Sequence, residues 1–206
     1  GEYLGATVQA IPHITDEVKH FIESDLHGED FVIYEIGGTV GDIEGLLLLE
    51  GVRQFINQVG RENAMLVHLT LVPYIKTASE VKTKPTQQSV RKLLELGLFP
   101  NVILCRSDNP IPEGEKRKIA MFCNVKQEDV ISAPDVDSIY KIPSIYHREG
   151  LDDRILAYFD MLEKSPKPNF DKWNKIQDII GNWDFHITIG IVAKYCGFPD
   201  AYKSLN

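Results

Sequence analysis

Basic charge, paired cysteines and long apolar runs are all scarce in this 206-residue chain. Lys and Arg number 22 against 30 Asp and Glu, a formal net charge of −8, which argues against non-specific binding to nucleic acid or to an anionic membrane. Any basic residues that matter for function must therefore act locally. The three cysteines, Cys105, Cys123 and Cys196, are odd in number, far apart, and form no CxxC pair. Neither a disulfide framework nor a zinc site is expected, and a reducing cytoplasm suits such a chain. The leucine run Leu46 to Leu49 is far too short to span a bilayer. Gly1-Glu2-Tyr3-Leu4 is not a basic segment leading into an apolar one, as a signal peptide would be. Without an initiator methionine, the chain reads as an internal segment of something longer.

What is present is an ordinary globular composition, 43% hydrophobic and 25% charged, enough to bury one core with something appended. Thr15-Asp16-Glu17 predicts the cap of a short helix with an apolar face of Val18, Phe21 and Ile22. Residues 31–36 read as a buried strand, followed by a glycine-rich stretch, Gly37 to Gly45. A helix through Leu46, Leu49, Val52, Phe55 and Ile56 comes next, then a strand over residues 64–72. A further helix should carry Val90, Leu93 and Leu94. Residues 102–105 predict a strand, Pro112 a helix start with Asn124 as its limit, and residues 130–132 another strand. Short apolar strands alternating with helices predict an α/β fold, a mostly parallel sheet flanked by helices, in which ligands sit beyond the carboxyl ends of strands. Residues 164–169, polar and proline-bearing, suggest a linker. Beyond them residues 186–192 read as a fresh strand, with a nascent helix over 200–204.

The chemistry is concentrated in Glu80-Val81-Lys82-Thr83-Lys84-Pro85-Thr86-Gln87. Pro85 biases Lys84 toward an extended backbone, so Lys82 and Lys84 should project the same way. Thr86 is the expected N-cap, and a helix N-terminus flanked by two ammonium groups and threonine hydroxyls makes an anion cradle. The alternative is a solvated loop before a capped helix. Glu35 closes an apolar strand directly before glycines. A buried carboxylate there is either a magnesium ligand or is satisfied by backbone N–H groups of the glycine loop. Asp42 and Glu44 are either dipole-favoured acids at a helix start or part of a polar-ligand or cation site. His13, Lys118 and the turn at Asp135-Val136-Asp137-Ser138 carry no signal individually, and Phe122 reads as a core residue.

Taken together and in order, Gly1 to Thr15 with its Ile11-Pro12-His13-Ile14, Glu35-Ile36-Gly37-Gly38-Thr39-Val40-Gly41-Asp42-Ile43-Glu44, His68-Leu69-Thr70-Leu71-Val72-Pro73-Tyr74, Lys82-Thr83-Lys84-Pro85-Thr86-Gln87, Cys105-Arg106-Ser107-Asp108 and Asp135-Val136-Asp137-Ser138-Ile139-Tyr140 closely resemble the CTP synthase family. The resemblance implies that residues 1–163 are the later part of a P-loop NTPase-like amidoligase domain without its N-terminal part. It further implies that 164–184 are a linker and 185–206 the truncated start of a class I glutaminase domain. It implies magnesium at Glu35; UTP, and CTP as feedback inhibitor, at Asp42, Ile43, Glu44, Lys82, Thr83, Lys84, Pro85, Thr86, Gln87 and Lys118; and ATP at Asp135 and Val136. His13 would lie near the uracil end, where ammonia enters. The implied reaction is ATP-dependent amination of UTP, with Mg2+ and ATP, with glutamine or ammonia as nitrogen source, in a cytoplasmic homotetramer.

The departures are as informative. No G-x-x-x-x-G-K-[ST] phosphate loop and no G-x-C-x-G nucleophile occur in these residues. The resemblance places both outside this segment, so the segment alone is expected to be inactive. A non-catalytic fragment that binds pyrimidine nucleotides or only oligomerises is the second reading. A P-loop amidoligase of the dethiobiotin synthetase kind is a third, opposed by the motifs at 42–44 and 82–87.

Overall fold

The computed structural model describes residues 3–24, 26–182, 187–195 and 197–202. It has two compact units, residues 1–168 and 169–206. The first is α/β. Its elements are α1 (Thr15–Ser24), α2 (Leu46–Val59), β1 (Val67–Leu71), the short strands β2 (Tyr74–Ile75) and β3 (Glu80–Val81), α3 (Lys84–Glu95), β4 (Val102–Ser107), α4 (Glu113–Cys123), β5 (Val130–Pro134), α5 (Ile142–Arg148) and α6 (Leu151–Tyr158). Strands β1, β4 and β5 form a parallel sheet in that order, with Val67 level with Val102 and Ile103 level with Val130. β2 and β3 make a separate antiparallel hairpin.

Each long helix buries one stripe. α3 turns Thr86, Val90 and Leu93 inward, and α4 contributes Ile119, Ala120 and Cys123, so the main core of Val72, Val90, Ile103, Cys105, Ile111, Ile119, Cys123 and Val130 lies between these helices and the sheet. α4 ends on Asn124 at φ 57°, a left-handed position that asparagine tolerates better than most residues. A second cluster, Leu49, Leu93 and Leu98, is joined by Ile36, Val40, Val52 and Ile56. It binds α2 and the glycine-rich stretch to α3. α1 crosses α2 at Gly51, where an added Cβ would sit 2.7 Å from Val18 Cγ1; only glycine fits that approach.

Several sequence expectations are corrected. Residues 31–36 belong to neither sheet, and Ile33 is 91% exposed. An apolar run reports a tendency to be buried, whereas a strand also needs a ladder partner. The segment is held by side chains instead: the Tyr34 hydroxyl donates to Ile22 O and Phe31 packs edge-to-face on Phe159 at 5.5 Å. Thr15 does not start the first helical run, because a turn of π-helix over Ala10–Ile14 precedes it and the Thr15 hydroxyl donates back to Pro12 O. Phe21 points away from the face that buries Ile22, and Phe122 is 56% exposed.

In the second unit, helix α7 (Asp171–Gly181) lies within the stretch expected to link two domains. Residues 187–192 are not a strand, with Ile187 and Ile189 exposed, and Pro199–Tyr202 form a 3-10 turn. His186, Cys196, Lys203 and Ser204 lie outside the described residues.

Candidate nucleotide site

The parallel sheet brings three of its predicted features to one edge. β1 ends at Leu71, and the chain runs through the β2–β3 hairpin back to Lys82, whose N–H donates to Pro73 O at 2.9 Å. α3 begins immediately afterward, so its N-terminus stands at the carboxyl end of β1. The N-cap is Thr83, not Thr86, and no side chain caps the helix. Lys84 is already helical, because Pro85 occupies the first turn, where its missing N–H costs nothing. The expected extended Lys84 is thereby overturned. Lys82 and Lys84 are both exposed. Lys82 forms an ion pair with Glu80, and their side chains are 46% and 51% exposed. Lys82 holds the Glu80 carboxyl below its ordinary range, mainly by hydrogen bonding, with Lys118 of α4 adding a charge contribution. Lys118, which also contacts Glu115 at 3.5 Å, therefore belongs to the same electrostatic neighbourhood as Lys82.

Asp135 and Val136 follow the end of β5, two strands along the sheet from β1. The Asp135 N–H donates to Ser107 O at 2.9 Å, and its carboxylate accepts from Arg106 Nε at 3.1 Å. Arg106 thus pairs with the turn that the resemblance assigns to ATP.

Asp42, Ile43 and Glu44 are not gathered with these residues. They are exposed in the turn that enters α2, where Asp42 Oδ2 accepts from the Thr39 N–H at 3.3 Å. A Cβ on neighbouring Gly41 would lie 3.7 Å from Lys92, eight residues along α3 from Lys84, or about 12 Å at the helical rise. Glu35 is exposed rather than buried, which removes the desolvation argument for a metal. Among the described residues no group of three or more His, Cys, Asp or Glu side chains comes together. A lone exposed carboxylate still fits magnesium, which commonly takes one or two carboxylates and completes its shell with water and substrate phosphates. His13 is partly buried, its Nδ1 3.0 Å from the Gln9 N–H and its ring edge-on to Tyr3 at 5.0 Å. Two surface clefts, one beside Asn101 and Lys126 and one beside Lys116 and Glu149, contain none of these residues.

Sequence reasoning missed the buried side of this edge. His68 and Thr70, on the inward face of β1, are buried, whereas Leu69 and Leu71 are 62% and 58% exposed. His68 Nε2 lies 2.9 Å from Ser89 Oγ on α3. Burial lowers the His68 pKa, so the folded protein favours the neutral ring. The unfolded chain takes up that proton near pH 6.5, so stability from this residue is present above that value and is lost as pH falls through it toward the folded pKa. Between pH 7.5 and 5.5 the melting temperature should consequently fall further in the wild type than in His68→Gln. Equal losses in the two proteins contradict this.

No helix among the described residues is long and apolar enough to cross a membrane. A family model described as CTP synthase N-terminus matches residues 1–161. The chain is 55% identical to a CTP synthase of Azospirillum brasilense over 205 residues, 55% identical to one of Rhizorhabdus wittichii over 206, and 54% identical to one of Sphingopyxis alaskensis over 206. Each match takes in 100% of this chain and 38% of the relative, so the chain spans a little over a third of these proteins' length. With a parallel α/β sheet, the expected motifs along its sequence and three quarters of its length inside the family model, the chain belongs to the CTP synthase family.

Proposed function

We propose that this chain supplies the pyrimidine-nucleotide half of a CTP synthase: it holds UTP by its triphosphate, and CTP at the same place, for ATP-dependent amination to CTP. The observation that carries this reading is the uncapped N-terminus of α3 at the carboxyl end of β1, flanked by Lys82 and Lys84 with Lys118 nearby. Free N–H groups, a helix dipole and three ammonium groups suit a polyphosphate far better than a neutral ligand. Asp42, Ile43 and Glu44 stand two turns along α3 from Lys84. In the complete protein, a homotetramer, a second copy would bring one set to the other at a single nucleotide.

In the reaction, O4 of UTP attacks the γ-phosphorus of ATP, the bond to ADP breaks, and ammonia then displaces the new phosphate from C4. The lysines anchor the triphosphate and fix the uracil end relative to ATP, converting a bimolecular encounter into an oriented one. Asp135 and Val136, braced by Arg106, contact ATP. His13 lies near the uracil end, where ammonia from glutamine or from solution arrives. Glu35 would hold magnesium beside the substrate phosphates, where it would supply positive charge against the transferred phosphoryl group. Such an enzyme works in the cytoplasm on soluble metabolites. The test is CTP formation from UTP, ATP, magnesium and ammonium chloride by the complete protein, with one ADP expected per CTP. UTP binding without turnover contradicts the catalytic reading and favours the non-catalytic alternative.

A further inference from the structure

We propose that Thr70, on β1, is a positioning residue for the nucleotide triphosphate, and that Thr86 acts through the same clasp rather than by touching phosphate. The inference rests on the reading of the site given above. Thr86 is fully buried, at 0% exposure. Its Oγ1 donates to Leu71 O at 3.1 Å and lies 3.0 Å from Thr70 Oγ1. A hydroxyl has one proton. With the Thr86 proton on the Leu71 carbonyl, only Thr70 can donate in the second contact; Cys105 Sγ, 3.8 Å from Thr70 Oγ1, competes for the same proton but is a weak acceptor, and the chain runs from Thr70 to Thr86 to Leu71. Thr83, 2% exposed, accepts from Gln87 Nε2 at 3.0 Å. The Thr86 hydroxyl proton is therefore committed within the protein, and Thr83 is buried too deeply to present an open hydroxyl to a ligand.

What the clasp does follows from its place. It joins the first turn of α3 to the last two residues of β1, and the His68–Ser89 contact lies one turn further along the same seam. Buried polar groups are costly when unpaired, so sliding α3 by one turn, about 5.4 Å, would strand all of them at once. An apolar interface carries no such penalty against slippage. The seam consequently sets the height of the α3 N-terminus above the sheet edge, and with it where Lys84 stands relative to Lys82, whose own backbone is tied to Pro73.

Thr70→Val keeps the side-chain volume and removes the hydroxyl, with its contacts to Thr86 and Cys105. In the complete protein it should raise the UTP KM about three- to tenfold, the loss of one neutral hydrogen bond, and leave the ATP KM within about twofold, while Thr70→Ser restores the wild-type value. The double variant Thr70→Val/Thr86→Val should be no weaker for UTP than Thr86→Val alone, because both changes break one chain. If Thr70→Val folds poorly, Thr70→Ala, which likewise lacks the hydroxyl, carries the same comparison. A wild-type UTP KM in Thr70→Val, beside a raised one in Thr86→Val, means that Thr86 touches the nucleotide and overturns the inference. UTP and ATP KM values rising together with a lowered melting temperature also overturn it, since a merely structural contact does that. Lys82→Ala separates the two levels. If it weakens UTP while Thr70→Val does not, the site stands and the inference falls; if neither does, the reading of the site itself fails.

Discussion

Lys82→Ala in the complete protein should weaken UTP and CTP together by tenfold or more. The lost contact is a charge-assisted hydrogen bond to phosphate, worth about 1.5–3 kcal/mol. Two local effects act on that figure. In the absence of nucleotide Lys82 pairs with Glu80, so binding exchanges one partner for another and trims the gain; a half-exposed pair of this kind is itself worth only about 0–1 kcal/mol. Removing Lys82 also leaves the Glu80 carboxylate uncovered beside the incoming phosphates, which adds repulsion. The second effect offsets the first, and the loss should remain within the range for a full contact. Steady-state KM for UTP and inhibition by CTP measure it, and wild-type values for both refute the assignment.

Glu35→Gln should leave the melting temperature nearly unchanged and remove most magnesium-dependent phosphoryl transfer. The first half follows from exposure: the carboxylate is at the surface, where substitutions usually move stability by less than about 0.5 kcal/mol. The second half follows from its proposed role, since removing one group that stabilises developing charge typically costs about 10²–10³ in rate. A collapse in stability with normal turnover by the surviving folded protein would make Glu35 structural.

Local chemistry made the carboxyl edge of the sheet legible in the sequence. Short apolar runs marked the strands at 67–71, 102–107 and 130–134, and Pro85 with the following amphipathic stripe marked α3, with its cap placed three residues late, at Thr86 instead of Thr83. The long-range features were not legible. The apolar run at 31–36 looked like another strand because hydrophobicity says nothing of pairing. In β1, Val67-His68-Leu69-Thr70-Leu71 alternates cleanly, yet its polar residues face α3. Ser89 and Thr86, on a different element, make that orientation favourable. Thr86 looked like a cap for the same reason: a threonine after Lys-Pro satisfies the local rule, and only the Leu71 carbonyl and Thr70, 15 and 16 residues away, give it another task. Residues 42–44 were grouped with the lysines by resemblance; in the fold the neighbouring Gly41 lies beside Lys92.

The claim that the α3 N-terminus and its lysines hold a triphosphate is tested most directly by equilibrium titration of wild-type and Lys82→Ala complete protein with UTP and with uridine. UTP should bind the wild type far more tightly than uridine, and Lys82→Ala should weaken UTP by tenfold or more while leaving uridine unchanged. Equal losses for both ligands, or none for UTP, would contradict it.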